Sequence, residues 1–214
     1  MADGRARVGV LISGRGSNLA ALIKASQRPG YPAEIALVIS NRPDAGGLAI
    51  ARSHGIAAET VEHTPGVFED HADTLLKTAG IEIVCLAGFM RILADAFVEE
   101  WRDRMLNIHP SLLPLFPGLD THARALAAGV KIHGATVHYV RPTLDQGPIV
   151  AQGAVPVLPE DTAESLAARV LQVEHRIYPL ALGLVADGRV KVERDRAIVQ
   201  GAPAGNASLL SPPD

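Results

Sequence analysis

The sequence predicts an α/β protein: a Rossmann-like, mostly parallel twisted sheet with helices on both faces, and antiparallel strands added in the C-terminal third. Short, fully apolar runs recur along the first half of the chain, and stretches with helical spacing separate them. Strands without polar alternation are buried on both faces, which is the habit of parallel sheets covered by crossover helices. Beyond residue 130 the helical connectors give way to strand-like runs around a turn-rich segment, the pattern of an antiparallel addition.

Residues 8–12 read as the first strand, and 17–26 as a helix with Leu19, Leu22 and Ile23 on one face. Residues 35–39 form a second apolar run and are followed by a helical stretch at 47–53. A weak strand near 59–61 precedes a helix over about 68–77. The strongest apolar run, 81–87, leads to a helix expected over 93–102, then to a short strand at 105–109. Residues 135–140 and 149–157 are the two late strands, flanking Arg141-Pro-Thr-Leu-Asp-Gln-Gly-Pro148. A long helix is expected over 162–185, capped by Asp161 or Thr162, and a hairpin or strand over 189–199.

The chain has 214 residues, 48% of them hydrophobic and 20% charged, which is globular usage with ample material for a core. A formal net charge of −3 without Lys/Arg blocks argues against a nucleic-acid or membrane-surface role. Cys85 is the only cysteine, so no intrachain disulfide can form, and its setting in Ile83-Val-Cys-Leu-Ala87 marks a core thiol. There is no signal-peptide pattern, and no apolar run approaches the ~18 residues a membrane span requires. The expectation is one cytoplasmic domain over residues 1–200, with a disordered tail over 201–214 that is rich in Pro, Ala, Gly and Ser.

Two constellations carry chemistry. Ser13-Gly-Arg-Gly-Ser-Asn18 joins the first strand to the first helix, where glycines permit a tight turn and free amides attract an anion. Leu19 stands where a dinucleotide fingerprint has its third glycine, and the second strand ends in Ser40-Asn41 without a ribose-binding acid. No Gly-Lys-Ser/Thr follows, so a phosphate monoester fits better than NAD or ATP; on the loop alone, a plain βα turn stays open. Asn107 and His109 lie two apart at the C-terminal end of a strand, so they share a face where α/β sheets place ligands. An Asn amide can stabilise an oxyanion, a His can shuttle a proton, and Asp145 could orient that His and favour its charge. Taken alone, a turn-capping Asn and a satisfied, half-buried His stay open too. No pattern of His and Cys suggests a metal.

At these residues the sequence resembles the phosphoribosylglycinamide formyltransferase family, the folate-dependent transformylases of purine biosynthesis. The matching stretches are Val10-Leu-Ile-Ser-Gly-Arg-Gly-Ser-Asn-Leu19, Leu86-Ala-Gly-Phe-Met-Arg-Ile-Leu93 and Leu106-Asn-Ile-His-Pro-Ser-Leu-Leu-Pro114. They continue in Val137-His-Tyr-Val140, Asp145-Gln-Gly-Pro148 and Glu174-His-Arg-Ile-Tyr-Pro179. The resemblance implies that Gly16, Ser17 and Asn18 hold the phosphate of glycinamide ribonucleotide, and that Glu174 lies near its glycinamide end. Without it, Glu174 would read as a solvated helix charge. It implies that Met90, Arg91, Ile92 and Leu93, with Asn107, line the pocket for 10-formyltetrahydrofolate, and that Asn107, His109 and Asp145 are the catalytic trio. The implied reaction is direct formyl transfer through a tetrahedral oxyanion, with no metal, by a monomer or homodimer.

Two positions depart from the family pattern. His71 stands where an Arg often meets the folate's acidic tail, and Asp120 stands at a frequent His. A formyltetrahydrofolate hydrolase and a methionyl-tRNA formyltransferase share the Asn-x-His and Asp elements. The first normally adds a domain before residue 8 and the second a β-domain after 200, and neither fits here. A non-catalytic phosphate-binding module on the same fold has no need of all three trio residues.

Overall fold

The computed structural model describes residues 4–62, 64, 67–201 and 211. The disordered tail expected over 201–214 therefore lies, apart from Gly201 and Ser211, outside the described residues. The elements are β1 (Ala6–Ile12), α1 (Ser17–Ser26), β2 (Ala33–Ser40), α2 (Gly46–Ser53), β3 (Ala57–Thr60), α3 (Val67–Thr78), β4 (Ile83–Leu86) and α4 (Asp95–Glu100). They continue with β5 (Met105–His109), α5 (Thr121–Ala127), β6 (Ile132–Tyr139), β7 (Ile149–Pro156), α6 (Ala163–Ala186), β8 (Val190–Glu193) and β9 (Arg196–Val199).

Seven strands form one sheet in the order β3-β2-β1-β4-β5-β6-β7. The first five run parallel, whereas β6 pairs antiparallel with β5 and β7 antiparallel with β6. The expected mixed sheet is thus present, and β8 and β9 form a separate antiparallel pair. Side-chain alternation along β1 divides the core. Val8, Val10 and Ile12 pack with Leu19 and Leu22 of α1, Leu48 of α2 and Tyr178 and Leu182 of α6. Leu11 faces the other layer, with Phe68 and Leu76 of α3, Phe97 of α4, and Trp101. Gly9 belongs to that contact: a Cβ there would lie 2.4 Å from Leu76 Cδ2, so α3 sits against bare backbone.

Two helices differ from the sequence expectation. The helix expected over 93–102 is only Asp95–Glu100, and residues 88–94 form an irregular, largely exposed loop. The short helix α5 has no counterpart in the sequence reading. It is entered through Asp120 in a left-handed conformation (φ 56°) and lacks a side-chain cap, so it carries no start signal. Thr162, not Asp161, caps α6: it accepts from Ser165 N at 3.2 Å while Ser165 Oγ accepts from Thr162 N, a reciprocal box. Cys85 is fully buried and burial pushes its thiol up to about 12, consistent with the expected core thiol.

Candidate active site

The antiparallel step at the edge of the parallel sheet builds the site. In the β5–β6 register Asn107 lies opposite His138, and His109 opposite Thr136. Leu106 and Ile108 point into one core layer, so Asn107 and His109 share the opposite face, as their spacing predicts.

Asp145 reaches His109 from the turn-rich segment after β6, with Oδ2 3.4 Å from His109 Nδ1. The backbone bends sharply to place it (φ 54°), a conformation Asp tolerates better than most residues, and Gly118 N donates to the same Oδ2 at 2.8 Å. His109 Nε2 lies 3.0 Å from the carbonyl of Phe116, another residue with positive φ (54°). Both ring nitrogens therefore face oxygens, Nε2 at hydrogen-bond distance from the Phe116 carbonyl and Nδ1 at ion-pair distance from Asp145. The segment carrying Phe116 and Gly118 is pinned from the sheet. Leu113 N donates to Thr136 Oγ1 at 3.0 Å, Thr136 Oγ1 donates to Ser111 O at 2.7 Å, and Gln152 Nε2 donates to Leu113 O at 2.9 Å.

His138 is a residue of the site that sequence reasoning missed. Its Nδ1 lies 2.9 Å from the Tyr139 carbonyl and must donate, which leaves Nε2 as an acceptor. Burial holds its pKa below the ordinary histidine value, so the ring is neutral. Asn107 Nδ2, 3.2 Å from that Nε2, is accordingly a donor, and the orientation of the amide is fixed with one N–H to spare. His138 Nε2 also lies 3.7 Å from Asp145 Oδ1, so the four side chains form one cluster. The stretch Val137-His-Tyr-Val140 carried the signal; the register that gives it meaning did not.

The glycine loop follows β1. Gly16 has φ 81°, and a Cβ there would lie 2.6 Å from Gly47 Cα, so the starts of α1 and α2 touch through two glycines. Ser13 Oγ ties the loop to neighbouring strand ends, donating to Asn41 Oδ1 at 2.6 Å and accepting from Met90 N at 2.9 Å. Asn18 Nδ2 donates to Glu174 Oε2 at 2.6 Å across 156 residues of sequence. Glu174 is not a solvated helix charge: it is only 8% exposed, and burial raises its pKa, offset by the Asn18 hydrogen bond and the charge of His109. Asn18 Oδ1 is buried without a partner among the described residues.

Met90, Arg91 and Ile92 project from the irregular loop before α4, with Met90 65% and Ile92 79% exposed, whereas Leu93 is buried. Leu115 and Leu119, in the segment that contacts His109 and Asp145, are also exposed, as is Leu144. Exposed apolar side chains gathered on such loops mark surfaces that bind. His71 is exposed on α3. Among the described residues no cluster of three or more potential ligands could hold a metal. None of their helices is long and apolar enough to cross a membrane.

Known proteins resemble this chain over most of its length. The family described as Formyl transferase matches residues 6–182. The chain is 44% identical over 196 residues to the phosphoribosylglycinamide formyltransferase of Escherichia coli (strain K12), covering 90% of this chain and 92% of that relative. It is 48% identical over 192 residues to the trifunctional purine biosynthetic protein adenosine-3 of Homo sapiens, covering 88% of this chain but only 19% of that much longer protein. The solved structure of glycinamide ribonucleotide transformylase 1 from Symbiobacterium toebii is similar with a TM-score of 0.89 at 44% identity, covering 92% of this chain and 95% of that one. The glycine loop, the Asn107–His109 strand, Asp145 and Glu174 all fall within the matched span, and the chain belongs to the formyl transferase family.

Proposed function

We propose that this protein transfers the formyl group of 10-formyltetrahydrofolate to the amine of glycinamide ribonucleotide, giving formylglycinamide ribonucleotide and tetrahydrofolate in de novo purine biosynthesis. The observation that carries the reading is the convergence of Asn107, His109 and Asp145, with the His109–Asp145 approach of 3.4 Å. A glycine loop and a buried carboxylate, joined by the Asn18–Glu174 hydrogen bond, accompany them on a chain of the formyl transferase family. The reaction is set in the cytoplasm, in one domain over residues 1–200, as a monomer or homodimer.

In this reading the substrate phosphate meets the amides of Gly16 and Ser17 at the start of α1 and the Asn18 side chain, and Glu174 receives the glycinamide end. Met90, Arg91, Ile92 and Leu93 line the folate pocket together with Asn107. The neutral amine attacks the formyl carbon and the carbonyl becomes an oxyanion. The spare N–H of Asn107 and the charge of His109 stabilise it, an effect on the order of 10²–10³ in rate for one such donor. His109 gives the Nε2 proton to the departing folate nitrogen, exchanging the Phe116 carbonyl for that nitrogen as partner. Asp145 stabilises the imidazolium and, through a water, takes the proton the amine loses. Holding two substrates in line supplies roughly 7–11 kcal/mol more.

The test is an absorbance assay of folate deformylation with and without glycinamide ribonucleotide. The proposal expects turnover that requires the ribonucleotide. Equal consumption in its absence would instead identify a hydrolase, and phosphate binding without any turnover a binding module.

A further inference from the structure

A groove of about 910 Å³ runs between α1 with the segment that follows it and the second half of α6, on the sheet face opposite α3 and α4. Its walls carry Lys24 and Arg28 on one side and Arg176 and Arg189 on the other, against one carboxylate, Asp187. Among the described residues none of the four cations forms an ion pair with a carboxylate. Arg189 is held by backbone instead, its Nε and Nη2 3.2 and 3.0 Å from the Gln200 carbonyl, and keeps its charge uncompensated. In a chain of net charge −3, four unneutralised cations along one groove are a marked local excess.

The groove reaches the glycine loop. Ser17, the first residue of α1, and His175 both line it. Their immediate neighbours Asn18 and Glu174 turn the other way, into the buried 2.6 Å hydrogen bond of the candidate site. One end of the cationic groove is therefore the outer side of the loop assigned to the phosphate. Fixed positive charge along an approach to an anion site raises local ligand concentration and association rate without contacting the reacting atoms.

We propose that this groove is the capture path for the phosphorylated substrate, and that Lys24, Arg28, Arg176 and Arg189 draw a phosphomonoester dianion toward the Ser17 end of the loop. The proposal rests on the formyl-transfer reading above. These four are positioning residues that act on arrival; kcat and the KM for the folate donor are independent of them.

The experiment compares Lys24→Glu, Arg176→Glu and their double variant with the intact protein; Lys24 and Arg176 are both exposed. Arg102→Glu, on the opposite face beyond α4, controls for the net charge of each single variant. At about 0.01 M ionic strength, where charges act over ~30 Å, the double variant should lose about tenfold in kcat/KM for glycinamide ribonucleotide with kcat unchanged. The gap should close near 1 M salt, where the reach falls to ~3 Å, and Arg102→Glu should match the intact protein throughout. Turnover by all variants with equal kcat/KM at low salt overturns the groove proposal and leaves the formyl-transfer reading standing. If the intact protein does not turn the ribonucleotide over, that reading fails and binding of ribose 5-phosphate decides the groove. Weaker binding by the double variant then supports the groove as an anion path, and equal binding overturns it.

Discussion

Asn107 Nδ2 lies 3.2 Å from His138 Nε2, and the bond from His138 Nδ1 to the Tyr139 carbonyl forces the direction of that contact. The histidine sets the orientation of the Asn amide, which the proposed mechanism uses to hold the oxyanion. His138→Leu should therefore lower kcat by about tenfold with smaller changes in either KM, as partners that orient a functional group do. Asn107→Ala, which removes the donor itself, should cost about 10²-fold. Steady-state kinetics of both variants and the double variant check this. Losses that multiply would contradict a shared path.

The Asn18–Glu174 contact joins the start of α1, where the proposed function puts the phosphate, to α6. Glu174→Ala leaves the Asn18 amide buried without its acceptor and should destabilise the protein by about 1–3 kcal/mol in urea unfolding. Glu174→Gln keeps an acceptor and removes a charge that burial disfavours, so its stability should match or exceed the intact protein near pH 7, while the KM for the ribonucleotide rises.

His133 is 1% exposed, its ring sits edge-on to His122 with centroids 5.3 Å apart, and burial with the neighbouring His122 lowers its pKa to about 4. The unfolded chain, with an ordinary histidine near 6.5, binds more protons over that interval, so stability falls as pH drops from about 6.5 toward 4. His122, His138 and His175 are shifted in the same direction and add to the slope. Melting temperatures at pH 7 and pH 5 should show a smaller loss for His133→Gln than for the intact protein.

The parallel core was legible because its signals are local: Val8, Val10 and Ile12 of β1 or Ile83 to Leu86 of β4 are apolar regardless of their partners. The Asn107–His109 pair was legible because period-two spacing fixes a shared face. What escaped was set by distance in sequence. His138 matters only through the β5–β6 register, and the burial of Glu174, which its sequence neighbours alone would leave a solvated helix charge, comes with a hydrogen bond from Asn18, 156 residues away. The helix α5 escaped for a local reason, having neither a capping side chain nor more than seven residues of periodicity.

Gly16 combines φ 81° with a 2.6 Å approach of any added Cβ to Gly47 Cα. Gly16→Ala should destabilise the protein by at least about 1 kcal/mol in chemical denaturation. It should also raise the KM for the ribonucleotide more than that for the folate, because it displaces the loop assigned to the phosphate.

The most direct measurement is a single turnover with donor carrying a ¹³C formyl group, followed by NMR for the intact protein and Asp145→Asn. The account predicts that the label appears in the ribonucleotide amide, and that Asp145→Asn slows its appearance by at least about 10²-fold while both substrates still bind. Label released as formate at the same rate with or without the ribonucleotide, or an undiminished rate in Asp145→Asn, would contradict it.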